Sequence, residues 1–340
     1  MLMTLFDKSF LQAITPDEAA IFDASYATNI TPLFFVETLG DLELEVGKGR
    51  SAEQVVGCLA YKTPTLHSYL NIPHSTLALG DLLGYRVEMR ELPAVGPGRT
   101  VNVRGKTGIA YDLPTEMLAF ERWQRHDFLG LERDFAKAFR AALAGAPTEL
   151  ARLLGSDGRA IPFASLAAIK AFATDVVRAD GKRWAVLKTA MLQMNIPVEA
   201  REQILVRWKK SGMPALTVFA PYVAHLLTVD VFMAAALASG HISVARPSNR
   251  IDLAYLYYLP FTQLFVSGDK LHERTVPLFS NDRQTFVRSD EMKSDLQRLD
   301  AYYSQYATQI EQEGLMNIAG DPPLSGDFLI CRLHDRFRPG

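Results

Sequence analysis

Residues Met1 to Phe6 are apolar almost throughout, and an acid, Asp7, follows at once; the run predicts a strand buried on both faces. In the next stretch, TPDEAAIFDASYAT, Thr15 can cap, Pro16 suits the first helical position and Glu18 closes a capping box. A helix is therefore predicted over about 16–28, with Asn29 ending it. ITPLFF reads as a second strand, assigned to a sheet edge by Pro32. A helix from about Phe35 puts Glu37 and Asp41 on one face, four residues apart. After the break at GKGR, Ser51 and Gln54 form a second capping box.

The pattern changes at about Tyr61. Up to Tyr111 the chain is rich in Pro and Gly, and YRVEMREL, RTVNVRG and TGIAYD predict short antiparallel strands. From Pro114 to about Gly240 it is helical. PTEMLAFERWQRHDFLGLERDFAKAFRAALAG is a long amphipathic stretch with interleaved charges, and SDG (156–158) and ADG (179–181) are turns. NIPVEAREQILVRWKKSGMP predicts a helix with Lys209 and Lys210 near its C-terminus, where the dipole favours cations. The apolar run from Ala215 to Gly240 contains Pro221, His225 and Asp230, which favours one buried helix or two short ones over a membrane span.

After Pro247, helix, strand and helix return. Asp252 opens the first of these helices, and Asp269 follows the strand TQLFVSG. Strands alternating with helices on both sides of a long insertion predict an α/β fold with a parallel sheet. The expected division is an α/β domain over 1–60 and 245–340, a small β insertion over 61–112 and a helical insertion over 113–244.

Composition narrows the class only a little. The chain has 340 residues, a formal charge of −2, and apolar and charged fractions of 48% and 22%, ordinary for a globular protein. The two cysteines, Cys58 and Cys331, lie far apart, which argues against a zinc site or a disulfide scaffold and fits a reduced, cytoplasmic setting. The opening MLMTLFDKSF lacks the pattern of a signal peptide. No P-loop, dinucleotide-binding glycine motif or G-x-S-x-G elbow is present.

Ligands of open parallel sheets bind at the carboxyl ends of the strands. Asp7, Glu37, Asp252 and Asp269 are all predicted to reach that edge. Carboxylates gathered there would raise one another's pKa unless a divalent cation neutralised them. Mg2+ and Mn2+ prefer such oxygen donors, and two ions about 4 Å apart can activate water against a phosphodiester.

This arrangement resembles the PIN-domain nucleases. The family's pattern is an Asp after the first strand, a Glu on the second helix, an Asp opening a late helix, and an Asp after the fourth strand within [ST]-x-D. The matching stretches are FDKSF with Asp7, FFVETLGDL with Glu37, NRIDLAYLYYLPF with Asp252, and VSGDKLH with Asp269. Ser9 and Ser267 match the family's hydroxyl positions, and Asp41 could assist Glu37. The resemblance covers about residues 1–60 and 245–300; the insertion departs from it.

The resemblance implies an α/β/α sandwich with a parallel sheet and a Mg2+- or Mn2+-dependent hydrolase of nucleic acid, an endoribonuclease ahead of a DNase. Asp7, Glu37, Asp252 and Asp269 would hold the ions. The alternative is a catalytically silent PIN-like scaffold whose insertion binds a protein or nucleic-acid partner. The insertion could equally be a homo-oligomer surface; no membrane partner is expected.

Simpler readings stand beside these. Asp7 and Asp269 fit ordinary turn chemistry, and Glu37, Asp41 and Asp252 fit acids near helix N-termini. Lys8 and Lys270, each following a site acid, read as solvated lysines before phosphate contacts. The aromatic run YLYYLPF reads as core, His67 and His74 as structural, and His272 as a surface residue that could reach a phosphate.

Overall fold

The N-terminal apolar run forms β1 (Met3–Phe6), and all four of its residues are buried. In this computed structural model the description covers the chain except residues 41, 97, 104–105, 112–114, 126, 128, 131, 133, 135–136, 139–161, 245, 247, 324–326 and 338–340. After β1, Asp7 caps α1 (Lys8–Ala13). The predicted box of Thr15 and Glu18, with Pro16 in the first turn, opens α2 (Pro16–Ser25).

The second strand differs from expectation. It is β2 (Ala27–Ile30), and its partners on both sides remove the edge assignment. The helix before it ends three residues early, at Ser25. Pro32 belongs instead to α3 (Pro32–Gly40), whose first turn tolerates the missing N–H. Asn29 does not end a helix. Its side chain is buried in β2, where it donates to the Phe261 carbonyl (3.2 Å) and accepts from Asn71 (3.1 Å). A short helix, α4 (Leu42–Val46), precedes α5 (Ala52–Lys62), which carries the predicted box of Ser51 and Gln54.

Within the segment expected as a β insertion, β3 (Ser68–Leu70) pairs in parallel with β2. YRVEMREL forms no strand. The other two segments do form a ribbon: β4 (Gly98–Val103) runs antiparallel to β5 (Lys106–Tyr111), with Gly98 opposite Tyr111 and Val103 opposite Lys106. The predicted SDG turn and much of the amphipathic stretch before it lie outside the described residues; Thr115–Gln124 is helical.

Near the C-terminus, β6 (Leu264–Ser267) and β7 (Thr285–Arg288) complete a five-stranded sheet of order β3-β2-β1-β6-β7. Every pairing is parallel; Met3 lies opposite Ala27 and Phe6 opposite Val266. Helices join the strands, an arrangement compatible with a three-layer sandwich. Phe6, Phe10, Phe22 and Phe34 are buried in its core, with Phe6 meeting Phe22 and Phe34 edge-on at centroid distances of 6.0 and 5.6 Å. Each such pair adds about 0.5–1.5 kcal/mol to the gain from burial.

This sheet belongs to the first of two compact units, Met1–Asn71, Arg90–Lys137 and Leu259–Gly340. The second unit comprises Ile72–Met89 and Ala138–Tyr258. The apolar run lies in the second unit and forms two helices, Leu216–Phe219 and Pro221–Ala238, with Pro221 in the first turn of the longer one. The longer helix is long and apolar enough to cross a membrane, but 83% of it is buried inside the protein. Its neighbours are the helices Leu166–Arg178, His74–Leu83 and Arg183–Gln193.

Candidate functional site

The register of β1 against β6 brings two sequence motifs together. Phe6 pairs with Val266, so Asp7 and Ser267 leave adjacent strands side by side at the carboxyl edge. The Ser267 hydroxyl donates to Asp7 Oδ2 at 2.6 Å. The Ser9 hydroxyl donates to Asp7 Oδ1 at 2.8 Å, and the Phe10 amide donates to the same oxygen at 3.1 Å. His272 Nδ1 completes the set, 3.3 Å from Asp7 Oδ2 and 2.8 Å from Ser267 Oγ. Because the single Ser267 hydroxyl proton goes to Asp7, His272 Nδ1 carries the proton in its own contact.

A carboxylate offers about four lone-pair directions. Asp7 has four donors within reach, two at each oxygen, and is only 2% exposed. Burial pushes its carboxyl pKa up. The hydrogen bond and charge of His272, together with the bonds from Ser267 and Ser9, outweigh burial and hold the carboxyl below its usual range.

His272 is where sequence reading failed. It was expected at the surface and is fully buried, packed on Phe265 at a centroid distance of 4.7 Å. The signal was available: in the helix Lys270–Phe279, the buried positions Leu271, His272, Thr275 and Val276 form one stripe at helical spacing.

The other candidates divide by environment. Asp269 caps the helix Lys270–Phe279, its Oδ1 accepting from the Leu271 amide at 2.6 Å while its own amide donates to Ser267 Oγ at 2.9 Å. Gly268 sits between them with its amide on Ser9 Oγ at 3.0 Å; a Cβ there would stand 3.3 Å from Ser9 Oγ and 3.4 Å from Ser289 Oγ. Glu37, on α3, accepts from the Lys8 amide at 3.3 Å. Lys8 was expected to be solvated and is buried, its Nζ 3.5 Å from the Glu37 carbonyl; Lys270 is exposed. Asp41 lies outside the described residues. Asp252 belongs to the second unit, buried in the first turn of the helix Asn249–Ala254.

The donor chemistry of Asp7, Glu37 and Asp269 suits Mg2+ or Mn2+, since all three offer hard oxygens. The arrangement does not. Asp7 has no free lone pair, Asp269 faces its helix, and among the described residues no three His, Cys, Asp or Glu side chains gather as a metal-binding group. These residues as placed do not fit a bound ion, and no catalytic step is derived through one.

No family model matches the chain, and no curated protein or solved structure matches it.

Proposed function

We propose that this chain is a PIN-like nuclease acting on the phosphodiesters of nucleic acid, RNA ahead of DNA. One observation carries the reading. Asp7, Ser9, Ser267 and Asp269, four of the six residues that match the PIN-domain pattern, meet at the carboxyl edge of neighbouring parallel strands. Glu37 stands beside them through Lys8. The strand before Asp269 is the fourth of the main sheet in chain order, as that pattern requires. Binding Mg2+ or Mn2+ there requires at least one donor on Asp7 to give way. The hydroxyls of Ser9 and Ser267 are the least costly to displace, at about 1.5–3 kcal/mol for each bond to a charged group.

The four donors on Asp7 favour a second reading, a catalytically silent PIN-like scaffold that binds a partner. The test is cleavage of single-stranded RNA, structured RNA and single-stranded DNA, with Mn2+ or with EDTA, by the native chain and by Glu37→Gln and Asp269→Asn. The nuclease reading expects metal-dependent cutting that both substitutions abolish while thermal stability survives. Native-like turnover in both variants sinks it. A native protein that cuts none of the substrates leaves the scaffold.

A further inference from the structure

The chain's charge is distributed unevenly. Between residues 164 and 215, nine Lys and Arg stand against four Asp and Glu, a surplus of five, although the whole chain is at −2. Two segments of this region meet within the second unit. One is the turn Asp180–Lys182 leading into the helix Arg183–Gln193; the other is the end of the helix Val198–Lys210. Arg183 Nη1 donates to the Met213 carbonyl at 3.4 Å, and Trp184 packs on Trp208 at a centroid distance of 6.0 Å. Trp208 in turn donates to the Pro214 carbonyl at 2.9 Å, which fixes the loop.

Helix stability explains half of this surface. Lys209 and Lys210 lie in the last turn of their helix, where cations are favoured. Lys182 and Arg183 do the opposite. They stand at the N-terminus of their helix, where the dipole repels cations, and no side chain caps that end. Asp180 pairs with Arg183 at 3.0 Å, leaving the local balance positive. Trp184, in the same first turn, is 47% exposed, whereas Trp208 is 6% exposed. Two features that stability does not account for, cations at the wrong helix end and a half-bare indole, lie together at the start of this helix; Lys188 follows one turn on, Lys209 and Lys210 directly follow Trp208, which packs on Trp184, and all three lysines are exposed.

We infer that this surface docks a single strand of nucleic acid. Lys182, Arg183, Lys188, Lys209 and Lys210 face its phosphates, and Trp184 stacks on a base. Charge complementarity selects a polyanion, and the exposed ring selects one with unstacked bases, which a duplex does not offer. The assignment of that strand to RNA rests on the proposed function; the dock itself does not.

The test is fluorescence anisotropy of a labelled single-stranded RNA of about 12 nucleotides with the full chain in EDTA, which separates binding from cleavage. Single strands give a slope of about −0.7 in log affinity against log salt per phosphate engaged, so three to five contacts give about −2 to −3.5. The triple variant Lys182→Glu, Lys209→Glu, Lys210→Glu is expected to lose at least about 30-fold in affinity and to flatten that slope. Trp184→Ala is expected to lose about 5- to 150-fold, and Trp184→Phe to restore most of it. Trp184→Ala also covers the case in which the triple variant fails to fold. Unchanged affinity in a folded triple variant, or a duplex of the same sequence bound as tightly, overturns the dock. Tighter binding of the matching single-stranded DNA overturns the assignment to RNA. Binding in EDTA by a chain that cuts none of the substrates when Mn2+ is supplied removes the nuclease reading and leaves the dock standing.

Discussion

Asp7 in the first unit and Asp230 in the second are both buried carboxylates, 2% and 5% exposed, yet their surroundings drive them in opposite directions. Asp7 receives two hydroxyls, an amide and an imidazole, and its carboxyl is held below the usual range against the pull of burial. Asp230 sits in the apolar helix Pro221–Ala238 and receives the Tyr257 hydroxyl; burial pushes its carboxyl up to about 7, with that hydrogen bond opposing. The difference shows that burial sets the scale of the penalty, while the donors decide which form bears it. Asp7 is built to be an anion, whereas Asp230 is neutral below neutral pH.

The largest expected effect comes from breaking the Asp7 side of this comparison. His272→Leu leaves a buried carboxylate with two hydroxyls and an amide but without its charge partner. Removing one member of a buried pair costs about 3–5 kcal/mol, read by denaturant unfolding at pH 7. A loss below 1 kcal/mol would mean that the serines alone hold the anion.

The next effect comes from titrating the other side. Because the folded pKa of Asp230 is raised, the stability from its neutral form is complete below the unfolded value, near 3.8, and is lost as pH rises through about 7. From pH 4 to pH 7.5 this one group should remove on the order of 3 kcal/mol, and Asp230→Asn should flatten that part of the pH profile. An unchanged profile in the variant would assign the slope to other groups.

Tyr257→Phe sharpens the contrast with the smallest change. It deletes the donor to Asp230 and should cost about 1–3 kcal/mol near neutral pH. It should also extend the loss of stability to higher pH, since that hydrogen bond is what lowers the Asp230 carboxyl.

Much of the fold was legible where a local rule has one meaning. The capping boxes at Thr15 and Ser51, the apolar strand before Asp7 and the parallel sheet follow directly from the chain. Pro32 has two meanings, edge strand or helix start, and only the pairing of β2 on both sides decides between them. The site was legible as a set of residues but not as a set of directions. Asp7 and Asp269 were expected at one edge and both stand there, because β1 and β6 are neighbours. No pattern along the chain revealed that Asp269 turns to its own helix, or that His272 takes up the remaining lone pair of Asp7; those depend on contacts across the sheet.

The pairing of β1 with β6 also sets the order in which the chain can fold as it is made. Asp7 and Ser267 are 260 residues apart. At about 5–20 residues per second, the ribosome delivers β6 roughly 13–50 s after β1. During that interval β1 can pair with β2 on one side only, and the whole of the second unit is synthesised before β6 arrives. The central strand of the sheet is thus an open edge during synthesis, and arrival of the fourth strand is the event that closes it.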